Sequence, residues 1–204
     1  MVKLLYSGNL GFGQDLGTVL RAVAQINSDM ALSVLVVSSG KGLPEIRELA
    51  SELALQGVEF LDPVPLHQLP DLMAEGDIHV ICQKPGTEGL LVPSKIYGTL
   101  AAGRPSIFVG PKRCEVATIL HESGSGLIVE PGDVVAAVDA LKKLASSPVL
   151  RRQMGERAKR YYDEHFGRGR GVTRIVDILN RAATKPRSSR TPSGEVTTVE
   201  NART

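Results

Sequence analysis

Apolar residues recur along this chain in two alternating rhythms, short unbroken runs and longer stretches of helical period, and that alternation predicts a parallel sheet with helices on both faces. Leu4 to Tyr6 reads as a strand that breaks at Gly8, after which Leu16, Val19, Leu20 and Val23 share one helical face. Leu32 to Val37 reads as a fully buried strand ending at Ser38-Ser39-Gly40, and Ile46, Leu49, Ala50 and Leu53 repeat the helical stripe. Val58 to Leu61 gives a third strand, a short helix follows from about Leu66 to Ala74, and Ile78 to Cys82 gives a fourth strand. A loop from Lys84 to Pro93 leads to a helix over Ser94–Ala102 and a strand over Ser106–Val109. Val116, Ile119 and Leu120 mark a helix, Gly126–Val129 a sixth strand, and Val134, Ala137, Val138, Leu141 and Leu144 an amphipathic helix. Two basic helical stretches, about Val149–His165 and Val172–Ala182, follow, with Gly167–Gly171 between them. The fold class is therefore α/β, a single Rossmann-like doubly wound parallel sheet with C-terminal helices.

Composition narrows this in a few ways. A chain of 204 residues with 42% hydrophobic content can build one well-packed core, expected over residues 1–183. From Thr184 to Thr204 large apolar residues nearly vanish in favour of Pro, Ser, Thr and Arg, so a disordered tail is expected there. The formal net charge of +2 gives no reason to expect a nucleic-acid partner. No run of about 18 apolar residues occurs, so no transmembrane segment is expected. Two cysteines, Cys82 in an apolar run and Cys114 in a loop, suit a reducing cytoplasm better than a disulfide framework.

In an open parallel sheet, ligands bind beyond the carboxyl ends of the strands, so the loops there are where chemistry is sought. Ser7-Gly8-Asn9-Leu10-Gly11-Phe12-Gly13 follows the first strand, and its glycines would let backbone N–H groups approach a phosphate at a helix N-terminus. Its spacing is not the dinucleotide Gly-x-Gly-x-x-Gly, and the second strand ends in Ser38-Ser39 instead of an acid, which argues against NAD. Gly40-Lys41-Gly42 lacks the spacing and hydroxyl of a P-loop. Ser94 stands where a helix N-cap belongs, and Lys95 lies in the first turn, where the helix dipole disfavours a cation unless an anion binds. A diphosphate there would meet N–H groups, a hydroxyl, Lys95 and Lys84. His67, His79, His121 and His165 have no ligand spacing, and no Asp-x-Asp occurs, so neither a metal nor a cofactor is expected.

The segment Glu88-Gly-Leu-Leu-Val-Pro-Ser-Lys-Ile-Tyr-Gly-Thr-Leu-Ala-Ala-Gly-Arg-Pro105 resembles the donor-binding segment of family 4 glycosyltransferases. Tyr6-Ser-Gly-Asn-Leu-Gly11, Phe60-Leu61 near Val64, Leu69 to Asp77, Gly124 to Val129 and Met154-Gly155 fall in that family's order. The likeness runs from about Lys3 to Leu179 and is nearest to members that build surface polysaccharides, the colanic-acid type among them. Those enzymes pair two Rossmann-like domains in the GT-B architecture, and this chain resembles the C-terminal, donor-binding one. The resemblance implies that Gly8, Asn9 and Gly11 line the phosphates, that Ser39 and Gly40 close one side of the nucleotide, and that Phe60 to Val64 meets the base. It also implies that Glu88 holds the transferred sugar, that Ser94 and Lys95 hold the diphosphate, and that Glu88 and Lys95 are the catalytic groups. The substrate would be a UDP- or GDP-linked sugar, and the acceptor a saccharide or a lipid-linked molecule. An acceptor domain would be supplied by a separate subunit, at the cytoplasmic side of the inner membrane and in peripheral contact with it.

The departures from the family's pattern are specific. The second acid of its Glu-x7-Glu motif falls on Gly98, and Glu88 lies ten positions before it. The family's cations after the first strand fall near Asn9 and Gln14-Asp15, leaving Lys84 and Lys95 to supply positive charge. A truncated, non-catalytic nucleotide-binding protein is the alternative reading, followed by a fragment of a nucleotide-sugar epimerase.

Overall fold

The computed structural model describes residues 1–26, 30–89 and 93–184. Six strands, β1 (Val2–Ser7), β2 (Leu32–Val37), β3 (Val58–Leu61), β4 (Ile78–Cys82), β5 (Ser106–Val109) and β6 (Gly126–Val129), pair in parallel in the order β3-β2-β1-β4-β5-β6. The chain leaves β1 in one direction to build β2 and β3, then returns to its other side through β4, where Leu4 and Leu5 pair with Ile78 and His79. The loops after β1 and β4 must therefore diverge at the carboxyl edge, and the gap between them is where a doubly wound sheet receives its ligand.

Strand alternation explains how both faces are covered. Leu4, Tyr6, Val34, Val36, Val80 and Cys82 point to one face and pack with α1 (Gly17–Ile26), α2 (Leu43–Glu52) and α6 (Val134–Ala145). Their neighbours Leu5, Leu35, Val37, Ile81 and Phe108 point to the other, against α3 (Leu69–Glu75), α4 (Lys95–Ala101) and α5 (Glu115–Ser123). Each such side chain, fully buried, contributes about 1.5–3 kcal/mol over its exposed state. Helix ends follow local chemistry: Asp133 accepts from the Ala136 N–H at 2.9 Å, and Ser147 from the Leu150 N–H at 3.2 Å just before Pro148 opens α7 (Pro148–His165).

Residues Met1–Gly167 form one compact unit, and the last helix, α8 (Arg168–Thr184), belongs to a second. That helix starts at Arg168 and incorporates Gly169 and Gly171, so the expected glycine separator narrows to Phe166 and Gly167. Single glycines inside a helix cost only about 1 kcal/mol each, too little to break this one. Val172, Ile175, Val176 and Leu179 are exposed along α8. The expected tail beyond Thr184 lies outside the described residues. Among the described residues no helix is long and apolar enough to cross a membrane.

The sheet's lower layer depends on how closely α7 approaches the turn after α4. A Cβ on Gly155 would overlap the Gly103 carbonyl. Gly155→Ala is expected to lower stability by about 2 kcal/mol in urea unfolding, overpacking outweighing the gain of about 1 kcal/mol in helix propensity. An unchanged midpoint would mean that the two helices separate without cost.

Candidate functional site

Packing fixes the register of α4, and the register fixes Lys95. Ile96 and Leu100 are fully buried against Ile81 and Phe108. This holds the first turn of α4 over the carboxyl end of β1, where the Lys95 Nζ donates to the Tyr6 hydroxyl at 3.0 Å and lies 4.5 Å from the centre of the same ring. The Tyr6 hydroxyl in turn donates to the Asn9 carbonyl at 3.0 Å. Gly8 has φ +131, and a Cβ there would stand 2.5 Å from Lys95 Cε. Its missing side chain is the channel through which the lysine stem passes.

The loop after β2 joins the same place. The buried Ser38 hydroxyl donates to the Gly8 carbonyl at 2.6 Å, and the Leu10 N–H donates to the Ser39 carbonyl at 2.8 Å. Gly40, at φ +116, lies so close to the Asn9 side chain and the Leu10 carbonyl that any Cβ would overlap both. Asn9, Ser39 and Gly40 are exposed at this edge. Gly8, Asn9, Ser39, Gly40 and Lys95, spread over three loops in the sequence, thus meet around one point.

Other expectations are corrected here. The glycine loop does not run directly into a helix N-terminus: α1 starts at Gly17, and Asp15, just ahead of it, already accepts from the Thr18 N–H at 3.2 Å and the Thr18 hydroxyl at 2.6 Å. A carboxylate there repels a second anion. The glycine N–H groups are also engaged, Gly8 with the Val37 carbonyl at 2.9 Å and Gly11 with the Gln14 side chain at 2.7 Å. What Gly8 offers is space, not a donor. Ser94 holds the N-cap position of α4, as expected, but makes no capping bond: its backbone is already helical, at φ −60 and ψ −15, and the residue is exposed. The Ile96 and Tyr97 N–H groups donate to the Pro93 and Ser94 carbonyls, both at 3.2 Å, so this short helix end is less electron-poor than its sequence suggests. Lys84 is exposed and lines a small cavity with Gly11, Gln14, Asp15 and Arg21, apart from the Lys95 cluster.

Glu88 is exposed on the loop after β4, and its neighbours Leu90, Leu91 and Val92, part of the segment that carries the family resemblance, lie outside the described residues. Phe60 is stacked under the Arg47 guanidinium at 4.5 Å. A Cβ on Gly98 would meet Met73 Cε at 3.2 Å, and the position lines an apolar groove with Leu66, Leu69 and Ala101. That surrounding suits no carboxylate. Sequence reasoning missed Tyr6 and Ser38, whose parts depend on contacts 89 and 30 positions away along the chain.

The electrostatics single out Lys95. Burial lowers its pKa from the ordinary lysine value, and Cys82, the group that acts on it through charge, is itself buried with its thiol pushed up and therefore neutral. Tyr6 is likewise held protonated by burial. The ammonium is thus half-buried among neutral partners, which costs free energy until an anion joins it.

The family model for glycosyl transferases group 1 matches residues 2–147. The putative colanic acid biosynthesis glycosyl transferase WcaI of Escherichia coli (strain K12) is 28% identical over 162 residues, covering 79% of this chain and 40% of the relative. The structure of Anabaena HepE in complex with UDP-glucose superposes with a TM-score of 0.73 at 16% identity, covering 88% of this chain and 48% of that one. The C-terminal domain of a group 1 glycosyl transferase family protein, LpcC of Francisella tularensis, superposes at 0.67 with 16% identity, covering 81% and 86%. The chain therefore spans less than half the length of the curated relative and of HepE, and has the fold of a C-terminal domain from the same group.

Because Lys95 has no charged partner among the described residues, Lys95→Met is expected to unfold, without ligand, at the same urea concentration as the wild type or up to about 1 kcal/mol later. A loss above about 1 kcal/mol would show that the ammonium is already well paired.

Proposed function

Since the chain belongs to the group 1 glycosyl transferases, we propose that it is the donor-binding domain of such an enzyme, holding a nucleotide-diphosphate sugar by its diphosphate at Lys95. The observation that carries this is the half-buried ammonium whose partners among the described residues are neutral, set at the diverging loops of β1 and β4. A pyrophosphate there replaces the water that Lys95 has lost and restores the charge balance.

The chemistry follows from that placement. The anomeric carbon–oxygen bond to the β-phosphate breaks, the nucleoside diphosphate leaves with the bonding pair, and an acceptor hydroxyl forms the new bond and loses its proton. Lys95 faces the charge that grows on the leaving oxygen, a fixed cation that needs little reorganisation as the bond breaks. Asn9, Ser39 and the Ser94 hydroxyl, all exposed at this edge, supply neutral hydrogen bonds to the phosphates and ribose. Glu88 is assigned to the sugar hydroxyls. With Gly98 in an apolar surrounding, the ribose is held without a carboxylate from α4.

A UDP sugar is the donor class that the UDP-glucose complex of HepE supports, and a GDP sugar remains the other arm of the test. The acceptor, a saccharide or a lipid-linked molecule, is bound by a separate acceptor domain, because the chain spans 40% of the WcaI relative. The unpaired thiols Cys82 and Cys114 and the exposed apolar stripe of α8 support a place at the cytoplasmic face of a membrane. A purely nucleotide-binding role finds no observation in its favour.

Calorimetric titration with UDP and GDP tests the donor site. Lys95→Ala is expected to lose at least about 1.5 kcal/mol of UDP binding, the worth of a charge-assisted bond. Unchanged affinity removes Lys95 from the site. Binding should also respond to pH with a definite sign. Burial lowers the Lys95 pKa in the free protein, so UDP affinity falls as pH rises through that lowered value, earlier than for an exposed lysine. Affinity that stays flat up to the ordinary lysine pKa contradicts the proposal.

A further inference from the structure

We propose that Tyr6 is a positioning residue for the diphosphate site, its ring and hydroxyl forming with Gly8 a slot that holds the Lys95 ammonium in place for the leaving group. This rests on the donor-site reading above and goes beyond it, since Tyr6 was assigned no part there.

Three contacts define the slot. The hydroxyl accepts from Lys95 Nζ at 3.0 Å, the ring lies 4.5 Å beneath the same nitrogen, and Gly8 walls the stem closely enough to exclude a methyl group. The hydroxyl is fixed in turn, because its own proton goes to the Asn9 carbonyl at 3.0 Å. Tyr6 is fully buried in the sheet and cannot swing away, so the acceptor it presents is rigid. A lysine stem has four rotatable bonds and, without such a holder, spreads its charge over a large volume. An ammonium held by one neutral oxygen and one ring face keeps two of its three protons for a ligand.

The geometry also explains why lysine and not arginine stands here. A guanidinium is a wider, planar group that spreads its charge over three nitrogens, so it would not set one compact charge against the Tyr6 oxygen beside Gly8 as Lys95 does. The neighbouring titratable groups are Tyr6 on β1, Cys82 on β4 and Asp15 ahead of α1, and Asp15 acts on Cys82. Tyr6 contributes the acceptor, so its removal weakens the charged form of Lys95.

A double-mutant cycle on the whole chain, titrated with UDP and with inorganic pyrophosphate, tests this. Tyr6→Phe keeps the ring and loses the hydroxyl. It is expected to weaken UDP binding about 5- to 10-fold when Lys95 is present, and less than about 2-fold in the Lys95→Ala background. The high-pH loss of binding should move to lower pH in Tyr6→Phe. Equal losses in both backgrounds overturn the proposal, as does no loss in either or an unmoved pH profile. Lys95→Arg leaves Tyr6 untouched and guards against a Tyr6 variant that does not fold. It is expected to bind UDP about 5-fold more weakly than wild type, and equal or tighter binding overturns the slot. If Lys95→Ala itself binds UDP like the wild type, the donor-site reading fails first; if it loses binding while Tyr6→Phe does not, only the positioning role falls.

Discussion

An ammonium held across neighbouring strands is the contact on which the proposed donor site depends. Lys95 begins a helix that follows β4, while Tyr6 and Gly8 close β1, and the two meet because β1 and β4 are neighbours at the place where the winding reverses. Removing the charge from water is unfavourable by itself, and the sheet tolerates it through one hydroxyl, one ring face and a glycine that leaves room. On the proposed reading the remaining imbalance would favour an incoming anion, so stability and binding would pull in opposite directions at this residue.

The supports of that contact are apolar and distant. Ile96 and Leu100 anchor α4 against Ile81 and Phe108, and Gly155 lets α7 press on the turn that ends α4. The place of α4 therefore sets where the Lys95 stem starts and which acceptor its ammonium meets. Core packing here sets the geometry of a charge. The same holds for the β2 loop, where the Ser38 hydroxyl ties Gly8 in place from a buried position.

The group 1 membership and the fold of a C-terminal glycosyl transferase domain fit a division of labour between two halves. On the reading proposed above, this domain would grip the part of the donor shared by many substrates, the diphosphate, with a fixed cation, and selectivity would fall to the groups that meet the sugar and the acceptor. At Gly98 the surroundings are apolar, with Met73 Cε 3.2 Å from where a Cβ would stand and Leu66, Leu69 and Ala101 lining the same groove.

Five of the six strands, β2 to β6, were legible in the sequence to the residue, because each is a short, mostly apolar run with polar, proline or glycine punctuation, and β4 and β5 are buried at every position. The helical stripes, the α/β class and the place of Lys95 in a first turn could be read in the same way, since each depends on near neighbours in the chain. Three things could not. Ser94 looks like a cap, but its backbone is already helical. Asp15, four residues beyond Gly11, takes the helix end that the glycine loop was expected to offer to a phosphate. Tyr6 reads as one more apolar strand residue, and only the crossing of β1 and β4 brings its hydroxyl to a lysine 89 positions away. Periodicity is a local property and sequence records it; which polar atoms meet across the sheet depends on packing, and that only the tertiary structure decides.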